Sequence, residues 1–382
     1  MKILYVSHEK RLNGASKSLL NIIDKMKENG HMIYVLTPYR DGAFYNELLH
    51  RSYVNVIIKP YFFWCQAKTK IGWIKNKIMW PIFRSQVNRI SAMIVSNYIK
   101  KEKIDIIHTN TSVINIGALI SHYSRIPHIW HIREFGDLDF DMHYYEPVKK
   151  VYSFMNKNTD RFICISNAIA NHYSLLDKNK IRIVYNGIEE SSIININKKN
   201  DSEKIRILIA GAIYIGKGQH EAVEACEILL DRGIDNFELL IAGEGEVYFN
   251  ISKKVENNIK FLGHVNKMRE LRKNIDIELV CSRCEAFGRV TAEAMLAGIP
   301  VIGSNTGGTP ELIENGTDGF LYDKGNAVAL ADKIEFLINN PSIRKEMGGK
   351  AQNKAIQHFL ISTCVKEIEK VYYEVSTENE YE

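Results

Sequence analysis

At 382 residues the chain is longer than one ordinary hydrophobic core supports, so two domains are expected. Its 45% hydrophobic and 25% charged residues, without repeats or low-complexity tracts, exclude collagen-like, mucin-like and disordered classes. A formal net charge of +5 is too mild to demand a nucleic-acid partner, and six scattered cysteines fit a reducing, cytoplasmic compartment better than a disulfide-stapled secreted domain.

The opening stretch "MKILYVSHEK" holds a short apolar run that reads as a first buried strand, too short for a signal-peptide core. No apolar run anywhere reaches transmembrane length. The loop "SHEKRLNGASKS", with Gly14, leads into "SKSLLNIIDKMKENG", apolar at helical spacing and stopped by Gly30. "MIYVLT", "VNVIIK", "IDIIHT", "HIWHI", "RFICIS" and "IRIVY" follow as nearly continuous apolar runs, the pattern of parallel strands covered by helices on both faces.

From the end of "VNVIIK" to the start of "IDIIHT", Lys59 to Lys103 carry ten basic residues against one acid, Glu102, interleaved with Phe62, Phe63, Trp64, Trp73 and Trp80. Such a stretch is either a solvated helix whose aromatics face the core or an interfacial segment drawn to anionic lipid. No recognition motif accompanies the charge, so nucleic acid is disfavoured.

Residues 187–203 are polar and Asn-rich after an Asn-Gly turn and read as a linker between domains at 1–186 and 204–358. The second series of strands is "KIRILIAG", "FELLIAG", "IKFLG", "IELVCS", "IPVIGS" and "GFLY", with helices such as "HEAVEACEILLDRG" between them. A last helix within 359–382 is expected to return to the N-terminal domain. The expected fold is α/β, two doubly wound Rossmann-like domains facing across a cleft, with ligands at the carboxyl ends of the strands.

"GAIYIGKG", Gly211 to Gly218, spells G-x-x-x-x-G-K, yet Gly218 stands where an ATP-binding P-loop needs a magnesium-holding hydroxyl. Lys217 in a glycine-rich loop still suits a phosphate. In "SRCEAFGRVTAEAMLAGIPVIGSNTGGTPELI", Glu285 falls in a strand-to-helix loop and Glu293 inside the helix. Phe287, Gly288 and Arg289 lie between them at the helix N-terminus, where backbone N–H groups and the helix dipole favour phosphate. A carboxylate accepts two hydrogen bonds from a diol, so one acid suits a sugar and the other a ribose. "CSRC", with Cys281 and Cys284, has zinc or redox spacing but no second ligand pair, and Cys281 is expected to pack in a strand.

This series resembles glycosyltransferase family 4, the E-x7-E enzymes of the GT-B fold. The likeness covers most of residues 204–340 through "EAFGRVTAEAML", "TGGTPELI", "GFLY" and the loop around Lys217. It implies a retaining enzyme with a nucleotide-diphosphate sugar donor, UDP-sugar favoured, and a glycan or lipid-linked acceptor, without cofactor or metal. The resemblance gives Lys217 and Gly211 to the diphosphate, Glu285 to the sugar, Glu293 to the ribose and the backbone of Gly263 to Val265 to the base. Gly14 and His131, the latter in "HIRE" as in the subgroup that builds surface polysaccharides, would serve donor and acceptor from the N-terminal half. Many members carry arginine where this chain has Ala212, which leaves one cation fewer, and Arg289 is the candidate substitute. "GDLDFD" holds Asp137, Asp139 and Asp141 in the D-x-D pattern by which other glycosyltransferases bind manganese, but in the wrong domain, and it reads as a loop. Two alternatives stay open: a catalytically silent nucleotide-sugar-binding partner and a sugar-nucleotide epimerase. Attachment to the inner face of the cell membrane through residues 59–103 is a further expectation.

Overall fold

The computed structural model describes residues 1–67, 79–195 and 204–378. Trp73, four lysines of the basic stretch (Lys68, Lys70, Lys75 and Lys77) and linker residues 196–203 lie outside them. The chain forms two compact units, one of Met1–Gly187 with Ile361–Glu382, the other of Ile188–Leu360.

In the first unit the strands are β1 (Lys2–Val6), β2 (Met32–Thr37), β3 (Val54–Ile58), β4 (Cys65–Ala67), β5 (Ile106–Thr109), β6 (His128–Ile132), β7 (Met142–Tyr144), β8 (Arg161–Cys164) and β9 (Ile181–Ile183). Seven build one parallel sheet in the order β3-β2-β1-β5-β6-β8-β9, while β4 and β7 pair antiparallel. The strands are apolar in runs because both faces are covered. Ile3 and Tyr5 pack with Leu19 and Ile23 of the helix Gly14–Glu28 and with Ile368 and Tyr372 of the helix Ile361–Glu378. Leu4 and Val6, pointing the other way, meet Val95 and Ile99 of the helix Met79–Glu102 and Ile120 of the helix Ile116–Ser124. Trp64 also faces inward, stacked on Trp130 at 5.5 Å with its indole N–H on the Ser112 carbonyl.

The helix Ile361–Glu378 is locked to this unit by polar contacts. Glu369 lies 2.8 Å from the His31 ring, and Glu374 takes bonds from Arg161 of β8 and Arg182 of β9.

The second unit has β10 (Ile205–Ala210), β11 (Phe237–Ala242), β12 (Ile259–Gly263), β13 (Ile277–Val280), β14 (Val301–Ser304) and β15 (Gly319–Tyr322) in the parallel order β12-β11-β10-β13-β14-β15. Ile207, Ile209, Ile277 and Leu279 bury against Ala222, Cys226 and Leu229 of the helix Gln219–Asp231 and Leu330 and Ile334 of the helix Ala327–Asn339. In both sheets the direction of winding reverses beside the first strand, between β1 and β5 and between β10 and β13. Loops leaving neighbouring strands part at such a point, and the crevice they leave is where ligands bind. Among the described residues no helix is long and apolar enough to cross a membrane.

Candidate functional site

In the second unit, the loop after β10 and the loop after β13 bring Lys217 and Glu285 together at the reversal point. Lys217 Nζ donates to Glu285 Oε1 at 2.5 Å, and Ser282 Oγ donates to the same oxygen at 2.6 Å. Burial opposes the charge on Lys217, but Glu285 outweighs it and the ammonium is held above its ordinary pKa. Glycines make this approach possible. Gly218 has φ +72°, and a Cβ there would sit 2.1 Å from the Cys281 carbonyl oxygen, so the serine or threonine of an ATP-binding loop does not fit. Gly307, at φ +57°, lies against the Glu285 backbone, and Gly308 N–H donates to the Glu285 carbonyl at 2.7 Å. The glycine pair after β14 therefore props up the loop that carries the acid.

Gly288 caps the helix Arg289–Leu296 with φ +100°. Phe287 is buried edge-on against Phe359, so only its backbone is available to a ligand. One turn on, Glu293 Oε2 accepts from Arg272 Nη1 at 2.8 Å, and Arg289 Nη2 stands 3.6 Å from its Oε1. Arg272 also grips Glu278 of β13 with Nε and Nη2, both at 2.9 Å. Arg272 is 5% and Glu278 0% exposed, so this is a buried charge pair with a branch to the surface acid. Burial pushes the Glu278 carboxyl up and Arg272 pulls it back only in part. Neither Arg272 nor Glu278 was expected from sequence. The available signal was a glutamate inside the apolar run "IELV", since a charge in a covered strand needs a partner. Arg289, expected near phosphate, turns its guanidinium toward Glu293. Ala212 is exposed and its carbonyl accepts from Gln219 at 3.0 Å. Gly211, at φ +139°, lies beside the Lys217 stem, whereas Gly263 ends β12 and Val265 follows it, at the opposite edge from β15.

In the first unit the polar groups gather at the carboxyl ends of β1, β5 and β6. Gly14 is the first residue of its helix, whose N-cap Asn13 forms a reciprocal box with Ser16. His131, on β6, receives Arg133 Nη2 at 3.3 Å on Nδ1. Arginine only donates, so His131 Nδ1 accepts and its proton sits on Nε2. His108 Nε2, 3.1 Å from that same Nδ1, must then donate, and His108 Nδ1 must accept from the Tyr372 hydroxyl at 2.6 Å, which leaves the Tyr5 hydroxyl as donor in its longer 3.3 Å contact with Tyr372. Burial, then the Arg133 charge, keeps both rings well below the usual histidine range, hence neutral. The result is a buried His131 Nε2–H with no hydrogen-bond partner among the described residues, a donor that costs about 1–3 kcal/mol until an acceptor reaches it.

Glu134 is buried under Thr111 and Ser112, whose hydroxyls both donate to Oε1 at 2.7 Å. Glu9, in the loop after β1, accepts from Asn13 at 2.7 Å, and burial pushes its carboxyl up to about 7. Asp139 caps the Phe135 and Gly136 N–H groups, Asp137 pairs with His172 at 2.9 Å and Asp141 with His143 at 3.2 Å. Among the described residues no group of three histidine, cysteine or acidic side chains is placed to hold a metal ion. Cys281 is buried and Cys284 half-buried, and neither is in a disulfide.

Two family models divide the chain: Glycosyltransferase Family 4 matches residues 12–192 and Glycosyl transferases group 1 matches residues 191–354. An uncharacterized glycosyltransferase of Methanocaldococcus jannaschii is 28% identical over 98% of this chain and 99% of its own. A UDP-Gal:alpha-D-GlcNAc-diphosphoundecaprenol alpha-1,3-galactosyltransferase of Escherichia coli is 26% identical over 72% of this chain and 77% of its own. Among solved structures, Anabaena HepE in complex with UDP superposes with a TM-score of 0.78 at 22% identity, over 98% of this chain and 100% of that one. The fold is accordingly GT-B.

Proposed function

For a chain that belongs to glycosyltransferase family 4, and is therefore a glycosyltransferase, we propose a retaining transfer from a UDP-sugar to a hydroxyl of a glycan or lipid-linked acceptor in surface-polysaccharide assembly. The observation that carries this reading is the Lys217–Glu285 pair at the reversal point of the second sheet. UDP is favoured because it is the nucleotide bound in HepE and named for the E. coli relative, and that relative's name also motivates a lipid-linked acceptor.

The chemistry follows from exchange of partners. When a diphosphate arrives, the Lys217 ammonium passes from Glu285 to phosphate oxygens beside the helix that Gly288 caps, and charge on the leaving group is stabilised there. Glu285, released but still bonded to Ser282, accepts from hydroxyls of the transferred sugar. Glu293 keeps one oxygen on Arg272 and turns the other to the ribose diol. His131 offers its neutral Nε2–H to a sugar hydroxyl, and the departing phosphate takes the acceptor's proton. No divalent ion is invoked, because lysine and backbone donors meet the phosphate charge. The acceptor is taken up at the inner face of a membrane.

Calorimetric titration of UDP, which lacks the sugar, tests the assignment. Glu285→Gln should bind UDP almost normally and lose turnover, whereas Glu293→Gln should weaken UDP binding by about 1–3 kcal/mol. Normal binding and turnover in both variants would overturn it. Donor isomerisation without acceptor would mark an epimerase, and donor binding without UDP release a silent partner.

A further inference from the structure

The helix Met79–Glu102 is apolar on two sides. Ala92, Val95 and Ile99 are buried with Leu4, Ile107 and Ile120 on the first unit's sheet side. On the other side Ile82, Phe83, Ile90, Met93, Ile94 and Tyr98 are 40% to 59% exposed. Their spacing places them along one stripe of the helix, broken only by Gln86 and Asn97. Single exposed apolar residues are ordinary, but six in line on one helix are not, and a helix apolar all round belongs where both sides are covered.

The rim of the stripe identifies the cover. Arg89, Lys101 and Lys103 are exposed beside it, Lys100 reaches the Tyr123 carbonyl at 2.9 Å, and Arg125 is exposed just past the neighbouring helix Ile116–Ser124. The one acid of the helix, Glu102, is occupied by the Tyr34 hydroxyl at 3.0 Å. Two copies of this stripe laid together would crowd like charges, whereas an anionic bilayer satisfies both the apolar side chains and the cations.

We propose that this face docks the enzyme on an anionic lipid bilayer, with the six apolar side chains in the headgroup–acyl boundary and the cations at phosphate level. The proposal deepens the lipid-linked acceptor reading and rests on it for its purpose. Trp73 and the lysines outside the described residues take no part in the argument.

Vesicle flotation of the full chain tests it, with phosphatidylcholine alone and with added phosphatidylglycerol. Binding should require phosphatidylglycerol and fall with salt. The double variant Ile90→Ser, Ile94→Ser should lower partitioning at least about ten-fold. Arg89→Gln with Lys101→Gln should lower it about twenty-five-fold at low salt, roughly five-fold per cation. Equal binding to phosphatidylcholine vesicles would overturn the proposal. So would undiminished binding by the isoleucine variant, or a dimer that this variant dissolves. UDP titration keeps the two readings apart: variants that bind UDP like the parent are folded, and failure of the parent itself to bind UDP would count against the donor reading alone.

Discussion

At the carboxyl edge of the first sheet, His108, His131 and Tyr372 form a buried network of neutral rings linked by hydrogen bonds, with Arg133 alongside. At the equivalent edge of the second sheet, Lys217, Glu285, Arg272 and Glu293 are ions paired with ions, with Arg272 buried and the other three partly open to solvent. The contrast fits two tasks. A neutral network fixes a tautomer and therefore the direction of one donor, but it cannot respond to a new charge. Ion pairs near the surface trade partners readily, since a phosphate replaces a carboxylate at little cost in desolvation. Under the proposed function, one edge positions and the other exchanges.

The largest expected effect probes the fixed part of the charged edge. Arg272→Met strands Glu278 as a buried unpaired carboxylate and should cost about 3–5 kcal/mol in urea unfolding, whereas Arg272→Met with Glu278→Leu should return to within about 1 kcal/mol of the parent. If the double variant is as unstable as the single one, the pair is not a self-contained rivet and the contrast loses its second half. Next comes Lys217→Ala, which removes the exchanging cation and should slow transfer roughly one hundred to one thousand times while leaving unfolding nearly unchanged. A small kinetic effect would mean that another group serves the diphosphate. Ala212→Arg in the same assay shows whether a second cation helps.

The smallest effect concerns Glu9, the one acid at the first edge that burial brings to about 7. Its folded pKa is raised above the unfolded value, so its contribution to stability is fully present below about pH 4.5 and is lost as pH rises through 7. Glu9→Gln should flatten that stretch of the stability profile, an effect of about 2 kcal/mol after allowing for partial exposure. A profile unchanged by the substitution would show that Glu9 is not the titrating group.

Every strand of the two large sheets was readable, because helices on both faces demand unbroken apolar runs such as "KILYV" and "IRILIA". The small β4–β7 pair was not, since "CQA" and "MHY" bury little and carry no periodicity. Lys217 and Glu285 stood out because they lie in glycine-containing loops at strand ends, within the stretches that resemble glycosyltransferase family 4. Arg272 and His108 escaped for a different reason. Their meaning lies in partners that sequence does not bring near: Tyr372 is 264 residues from His108, and Arg272 joins a strand to a helix. Gly14, read as a loop glycine, begins a helix instead.

The helix Ile361–Glu378 belongs to the first unit although it is the last element of the described chain. During synthesis, residues Ile188–Leu360 leave the ribosome as one continuous stretch and can close their own core at once. The earlier-made sheet has to wait. Until the final helix emerges, Ile3, Tyr5, Leu19 and Ile23 lack the side chains of Ile368 and Tyr372 that cover them, and the His108 ring lacks the hydroxyl that sets its tautomer. The half of the protein translated first is therefore the half finished last, and a nascent chain that stalls before Ile361 carries a complete second unit beside an uncovered first one.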